Sequence, residues 1–330
     1  MEKLTSSRIK YLDIAKGVLI ILLVFAHFRS AVIRIPYESK YFEFVYGWNN
    51  IFTCFYMPAF FIISGYCSNF RKPFGTFLIS IVKSLLIPLI FFTLINQAAV
   101  SILNKTNYLE QLWQCISNGG DLWFLQAMII GKLILYYIRR IQDYWHGGYI
   151  CLILLCLGVL LNQWNIGPNP FFYKHALIAS FWIAVGQWLR GNKSIFEKLL
   201  RLSLYTYPVI AIATFIINTN FTAYISISLK TIPFHIVYSL IGSVFLLKIC
   251  SLIKENEILE YWGKNSITVY ALHFIPLLFM TQFLYGRLHP DNWWMFLLYF
   301  IALYSLEYTI CWFLMKLFSI KPFNYVIGKF

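Results

Sequence analysis

RIKYLDIAKGVLIILLVFAHF, residues 8–28, is an almost unbroken apolar run into which three ionisable side chains are set: Asp13, Lys16 and His27. Lys16 and His27 are eleven residues apart. At about 100° per residue that is three turns plus about 20°, so on a helix both point the same way, with Asp13 one turn ahead on that face. At about 1.5 Å per residue, roughly 16 Å of helix separates the lysine from the histidine. If this helix crosses a bilayer, Lys16 lies near one surface and His27 lies deep, where an imidazole is costly unless it faces a polar cavity or a partner.

The rest of the chain shares this character. Of 330 residues, 60% are hydrophobic and 12% charged, against roughly 45–50% and about 25% in ordinary soluble domains. Aromatic residues make up 20%, as suits a protein whose Trp and Tyr sit at membrane interfaces. We read an all-α polytopic membrane protein, a single domain over 1–330, because no polar stretch is long enough to fold separately. The seven cysteines are mostly inside apolar runs and show no CxxC or Cys/His spacing, which leaves no basis for a disulfide framework or a metal site. The first apolar run is long and lacks a small-x-small exit, so it reads as a span and not as a cleavable signal peptide.

About ten transmembrane helices are expected, since a hydrocarbon core of about 30 Å needs about 17–25 residues each. They run near 11–33, 48–69, 76–100, 121–138, 147–162, 172–189, 200–218, 232–250, 266–284 and 293–315. Pro58 should bend the second, and Pro208 should kink or split the seventh. With both termini cytoplasmic, 18 of the 27 Lys and Arg fall in inner segments and 7 in outer ones, leaving Lys83 and Lys132 inside helices. The net charge of +14 is therefore a positive-inside signal and not a nucleic-acid surface. The outer loops, 34–47, 101–120, 163–171, 219–231 and 285–292, are too short for an ectodomain, so the work is done within or at the faces of the helix bundle.

Ionisable groups inside spans are the functional candidates. His27 is either a packing contact or a general base, since an imidazole titrates near neutrality and can take a proton from a hydroxyl. Lys16 is either a snorkelling anchor or a cation for phosphate groups arriving from the cytoplasm. Arg71 and Lys72 are either a stop signal after the second span or partners of Lys16 in an anion site. Asp121 opens the fourth span as a plausible N-cap. His273 and Glu307 are buried by pattern, as proton relays or polar helix contacts, and His235 is expected at the outer interface. No Gly-rich phosphate loop, GxSxG elbow or HExxH motif occurs.

The stretch YLDIAKGVLIILLVFAH resembles the first-helix signature of the membrane acyltransferase-3 family, with Asp13, Lys16, Gly17 and His27 on its positions. MPAFFIISGY at 57–66 resembles the second-helix signature. KSLLIPLIFF (83–92), DLWFLQAMI (121–129), GKNSITVYALH (263–273) and NYVIGK (324–329) resemble weaker later blocks, so the likeness spans nearly the whole chain. The branch it looks most like is the fucose-4-O-acetylase-like sugar O-acetyltransferases. The resemblance implies transfer of an acyl group, usually acetyl, from cytoplasmic acyl-CoA as cosubstrate, with no bound cofactor. The acceptor it implies is a sugar hydroxyl of a surface polysaccharide or its lipid-linked precursor, at the bacterial cytoplasmic (inner) membrane. It implies His27 as the catalytic residue and Lys16 as an aid to donor binding, where many members carry Arg. Lysine keeps the charge but not the bidentate fork. The soluble esterase-like domain of larger relatives has no counterpart.

The mechanism this suggests brings the acyl-CoA phosphates near Lys16, Arg71 and Lys72 and has His27 deprotonate the acceptor. Asp13 would orient Lys16, and Ser64, Tyr66 and Trp123 are candidates for the oxyanion donor. A transporter or flippase for a glycan intermediate also fits ten helices with buried charge, but no inverted-repeat symmetry is visible. A non-catalytic part of a glycan assembly complex is a third class.

Overall fold

The long apolar runs become helices because within a hydrocarbon solvent each backbone N–H and C=O has to be satisfied inside its own segment. The computed structural model describes residues 9–32, 51–141, 144–217, 227–253, 255–284 and 287–328. The basic residues Lys3, Arg8 and Lys329 and the outer loop 34–47 lie outside these. Among the described residues every regular element is helical. Among the same described residues, five helical segments are long and apolar enough to cross a membrane: Lys10–Phe28, Phe74–Asn104, Leu229–Leu252, Ser266–Phe283 and Trp293–Leu317. Ile51–Cys67 and Gly148–Gln163 are shorter apolar helices.

Helix α1 (Lys10–Val32) sits at the centre. It touches α2 (Tyr56–Cys67), and later α10 (Ile232–Leu252), α11 (Glu257–Lys264), α12 (Ser266–Leu272), α13 (Phe274–Phe283) and α14 (Trp293–Leu317). Its apolar window is 61% buried, whereas that of α14 is 17% buried. The first is therefore a core helix and the second faces lipid over most of its surface. Between them in sequence run α3 (Phe74–Ile81), a five-residue π segment (Val82–Leu86) and α4 (Ile87–Asn104), which form one helical rod. The amphipathic α5 (Tyr108–Ser117) lies within the predicted outer loop 101–120. Then follow α6 (Trp123–Ile141), α7 (Tyr144–Gln163), α8 (Tyr173–Gly191) and α9 (Lys193–Ile217).

Two pairs of glycines set the closest helix approaches, as small residues do where lipid offers no hydrophobic drive between helices. A Cβ on Gly17 of α1 would lie 2.1 Å from the Leu259 carbonyl, and one on Gly263 would lie 1.8 Å from that of Asp13. This pins α11 against the start of α1, the turn that carries Asp13 and Lys16. Gly65 and Gly186 do the same for α2 and α8, with 2.0 Å to the Ile183 and Ile62 carbonyls respectively.

The breaks differ in part from expectation. Helix α9 begins at Lys193 and runs through Pro208 unbroken to Ile217, so that proline does not split the seventh segment. The second segment does break, at Cys54–Phe55, just upstream of Pro58. A proline lacks the N–H that would reach the carbonyl four residues back, and that carbonyl, of Cys54, instead accepts from Ser239 Oγ of α10 at 2.6 Å. The third segment absorbs Pro88 through the π turn immediately before it. The ninth, expected as one helix, divides at His273.

Candidate active site

The divided ninth segment brings His273 to His27. His27 Nδ1 and His273 Nε2 are 2.8 Å apart, although 246 residues separate them in sequence. The neighbouring packing fixes both rings. Phe28, fully buried, meets the rings of Phe300 and Tyr304 on α14, each with centroids 5.2 Å away, which anchors this end of α1. Phe274 lies against both imidazoles, at 4.7 Å from His27 and 4.6 Å from His273.

The hydrogen bonds assign the tautomers. His273 is fully buried, and its Nδ1 lies 3.0 Å from the Val269 carbonyl and 2.9 Å from that of Tyr270. Carbonyl oxygens only accept, so His273 Nδ1 carries its proton. In the neutral ring Nε2 is then an acceptor, and His27 Nδ1–H donates to it. The remaining nitrogen of His27, Nε2, holds the basic lone pair. The break is mended on its other side by Asn96 of α4, whose Nδ2 donates to the Ala271 carbonyl at 3.1 Å and to Asp121 Oδ2 at 2.9 Å. Asp121 Oδ1 accepts from the adjacent Leu122 N–H at 2.7 Å. Asp121 therefore ties the start of α6 to α4 and does not cap α6 as an N-cap would.

A cavity of about 330 Å³ lies among these helices; neither histidine lines it, and its lining reaches Leu23 and Tyr270, one turn before His27 and His273. Lys16, Ile20 and Leu23 form its α1 wall, the same helical face that carries His27 one turn further on. Tyr270, one turn before His273, also lines it, and its hydroxyl accepts from the Phe124 N–H at 3.1 Å. Lys132 of α6 and Lys264 at the end of α11 also line it, together with Ser64, Ser68 and Ser266. Lys16 Nζ is 2.6 Å from Asp13 Oδ1, and Asp13 is 2% exposed. Lys264 Nζ is 2.9 Å from Glu260 Oε2.

Of the residues singled out in the sequence, Lys16 and Ser64 line this cavity, Asp13 is tied to it through its ion pair with Lys16, and His27 and His273 meet each other one turn beyond its lining residues Leu23 and Tyr270. Arg71 and Lys72 are exposed beyond the end of α2 and do not line it; the Lys72 carbonyl accepts from Tyr136 at 3.0 Å. The Tyr66 carbonyl accepts from Arg190 at 3.2 Å, as does that of Ser68. Trp123 packs against His175 on α8, with ring centroids 5.3 Å apart. Glu307 is fully buried in α14, where Cys311 Sγ approaches its carboxylate at 3.6 Å. Neither Trp123 nor Glu307 lines the cavity. His235 is fully buried next to Ser239 and Trp182 and does not face an outer surface. Lys132, which the sequence leaves as a lysine inside a helix, lines the cavity. The signal was present, a lone lysine in the apolar run AMIIGKLILYY.

An apolar bundle, a cavity lined by three lysines, and an imidazole pair one turn beyond its wall define a membrane protein with a candidate site inside the bundle. The comparison with family models agrees: the family described as acyltransferase domain, the acyltransferase-3 family, matches residues 9–316. The chain belongs to that family and is a membrane acyltransferase by class. Searches of curated proteins and of solved structures each returned no match.

Proposed function

We propose that the protein is an O-acyltransferase that moves an acyl group, acetyl in the first instance, from cytoplasmic acyl-CoA to a sugar hydroxyl of a surface polysaccharide or its lipid-linked precursor. In this reading ten helical segments cross the bacterial cytoplasmic membrane, with both termini inside, as the excess of Lys and Arg on one set of loops requires. The observation that carries the reading is the hydrogen-bonded pair of His27 and His273, one turn beyond Leu23 and Tyr270 in the wall of a cavity that three lysines share.

The chemistry follows from the tautomers. His273 holds the His27 ring with Nδ1 protonated, leaving Nε2 to act as general base. It removes the proton of the acceptor hydroxyl as that oxygen attacks the thioester carbonyl. The tetrahedral intermediate collapses with cleavage of the C–S bond, and the proton passes from His27 to the departing thiolate. His27 is restored and the free coenzyme leaves by the way it came. His273 stabilises the imidazolium formed in between by accepting the Nδ1 proton more strongly, as a hydrogen bond to a charged donor is stronger than a neutral one. Lys16, about 16 Å of helix from His27, meets the donor near the cavity's entrance, with Asp13 orienting it. Arg71 and Lys72, exposed outside, attract the anionic donor without seating it. Ser64, within the cavity wall, is the nearest of the predicted hydroxyls to the donor path.

Substitution of His27 by Gln tests this directly. Membranes carrying His27→Gln at the wild-type protein level should form no acyl ester on the surface glycan. Unchanged acylation would remove His27 as the base.

A further inference from the structure

The three lysines of the cavity are not equivalent. Lys16 is neutralised by Asp13 at 2.6 Å and Lys264 by Glu260 at 2.9 Å. Lys132 has no carboxylate within ion-pairing distance among the described residues. It projects from the same face of α6 as Phe124, Leu125 and Met128, so its neighbours on that wall are apolar. An ammonium group set in an apolar wall inside a membrane protein is costly unless an anion meets it. The Cys67 thiol, which also lines the cavity, lies within electrostatic reach of both Lys16 and Lys132. The two amines therefore flank one end of the space. Three hydroxyls, of Ser64, Ser68 and Ser266, complete a polar lining suited to phosphate oxygens.

From this we infer that the cavity is a binding site for a phosphate-bearing group and that Lys132 is its principal charge contact, with Lys16 and Lys264 as partners already held by their carboxylates. Resting on the function proposed above, the phosphate is that of the acyl-CoA donor. This moves the seat of the anion from the exposed Arg71 and Lys72 into the bundle. It also sets the distance over which the pantetheine arm runs, along Ile20 and Leu23 towards His27. A lipid-linked pyrophosphate carries the same chemistry, and the test separates the two sources.

Cys67 supplies the readout, since it is exposed and lines the cavity. Purified protein in nanodiscs is alkylated with a maleimide, and modification at Cys67 is quantified by peptide mass spectrometry. The protectants are desulfo-coenzyme A, which has no thiol to consume the reagent, desulfopantetheine, which lacks the phosphates, and polyprenyl pyrophosphate in the bilayer. Desulfo-coenzyme A should protect Cys67 in the wild-type protein. Lys132→Met should raise the concentration needed by about tenfold to a hundredfold, the range for losing a charge-assisted hydrogen bond. Lys132→Arg, which keeps the charge, should restore protection to within a few-fold and guards against a folding artefact. Desulfopantetheine should protect weakly and equally in all three proteins. Protection by polyprenyl pyrophosphate alone, dependent on Lys132, keeps the phosphate site and overturns the donor as its occupant. Protection insensitive to Lys132→Met, or as strong with desulfopantetheine, overturns the site.

His27→Gln separates this inference from the proposed function. It should abolish acyl transfer and leave Lys132-dependent protection intact. Transfer that depends on His27 alongside protection that ignores Lys132 would end the inference and leave the function standing. Lys132-dependent protection by desulfo-coenzyme A without acyl transfer in the wild type would do the reverse.

Discussion

Two helices of this bundle divide close to a proline, and the side chains that meet the backbone at the two divisions differ. Near Pro58 the stranded Cys54 carbonyl is taken by a hydroxyl, Ser239 Oγ at 2.6 Å, on a neighbouring helix. Just ahead of Pro276 the chain breaks at His273, whose Nδ1 turns back to the Val269 and Tyr270 carbonyls while Nε2 meets His27. The first contact passes on to His235, whose Nδ1 lies 3.4 Å from the same hydroxyl, and neither residue lines the cavity. The second places a side chain with two nitrogens at the division, and its hydrogen bonds to the Val269 and Tyr270 carbonyls on one edge set the tautomer presented on the other. Broken backbone in a membrane protein has to be satisfied in any case. What makes one break a candidate for chemistry is the kind of group that satisfies it.

The contrast yields predictions of decreasing size. His27→Gln removes the proposed base and should lower the acyl-transfer rate by about 10²–10⁴-fold, the usual contribution of a positioned general base, measured as turnover of labelled acetyl-CoA. His273→Ala removes only the orienting partner. It strands the His27 Nδ1 proton, at a cost of about 1–3 kcal/mol, so kcat should fall roughly tenfold to a hundredfold while the KM for the donor stays within a few-fold. Gly263→Ala drives a methyl group into the Asp13 carbonyl, and overpacking of this kind costs about 1–3 kcal/mol, seen as a lower melting temperature in detergent. Ser239→Ala, at the other break, should cost about 1 kcal/mol of stability and leave kcat unchanged in the protein that remains folded. Smallest of all, Arg71→Gln with Lys72→Gln should raise the donor KM a few-fold at low salt. That effect should vanish at high salt, where exposed charges are screened.

Much of the fold could be read from the sequence, because hydrophobic length is a strong signal and each of the ten expected segments is helical over most of its span. The stripe Asp13–Lys16–His27 was legible for the same reason: helical periodicity puts those residues on one face whatever surrounds them. What periodicity does not carry is the partner of a side chain on another helix. His273 and Glu307 look alike in the sequence, each a polar residue in an apolar run. One meets His27, and the other is buried beside Cys311 away from the cavity. Lys132 and Arg71 show the converse. Arg71 stood out because it is followed by a second cation at a helix end, a place where charge is inexpensive. Lys132 stood alone in an apolar run, where charge is costly. Weighing position above clustering would have picked Lys132. The amphipathic helix α11 escaped notice because eight residues are too few to span, yet it delivers Gly263 and Lys264 to the site.

A double-variant cycle at the two histidines, with kcat for acyl transfer measured in the wild type, His27→Gln, His273→Ala and the combined protein, tests the central claim most directly. If His273 acts through His27, the combined protein is no slower than His27→Gln alone. If the two losses multiply, His273 works independently of His27, and the account of a base held in its tautomer by its neighbour is wrong.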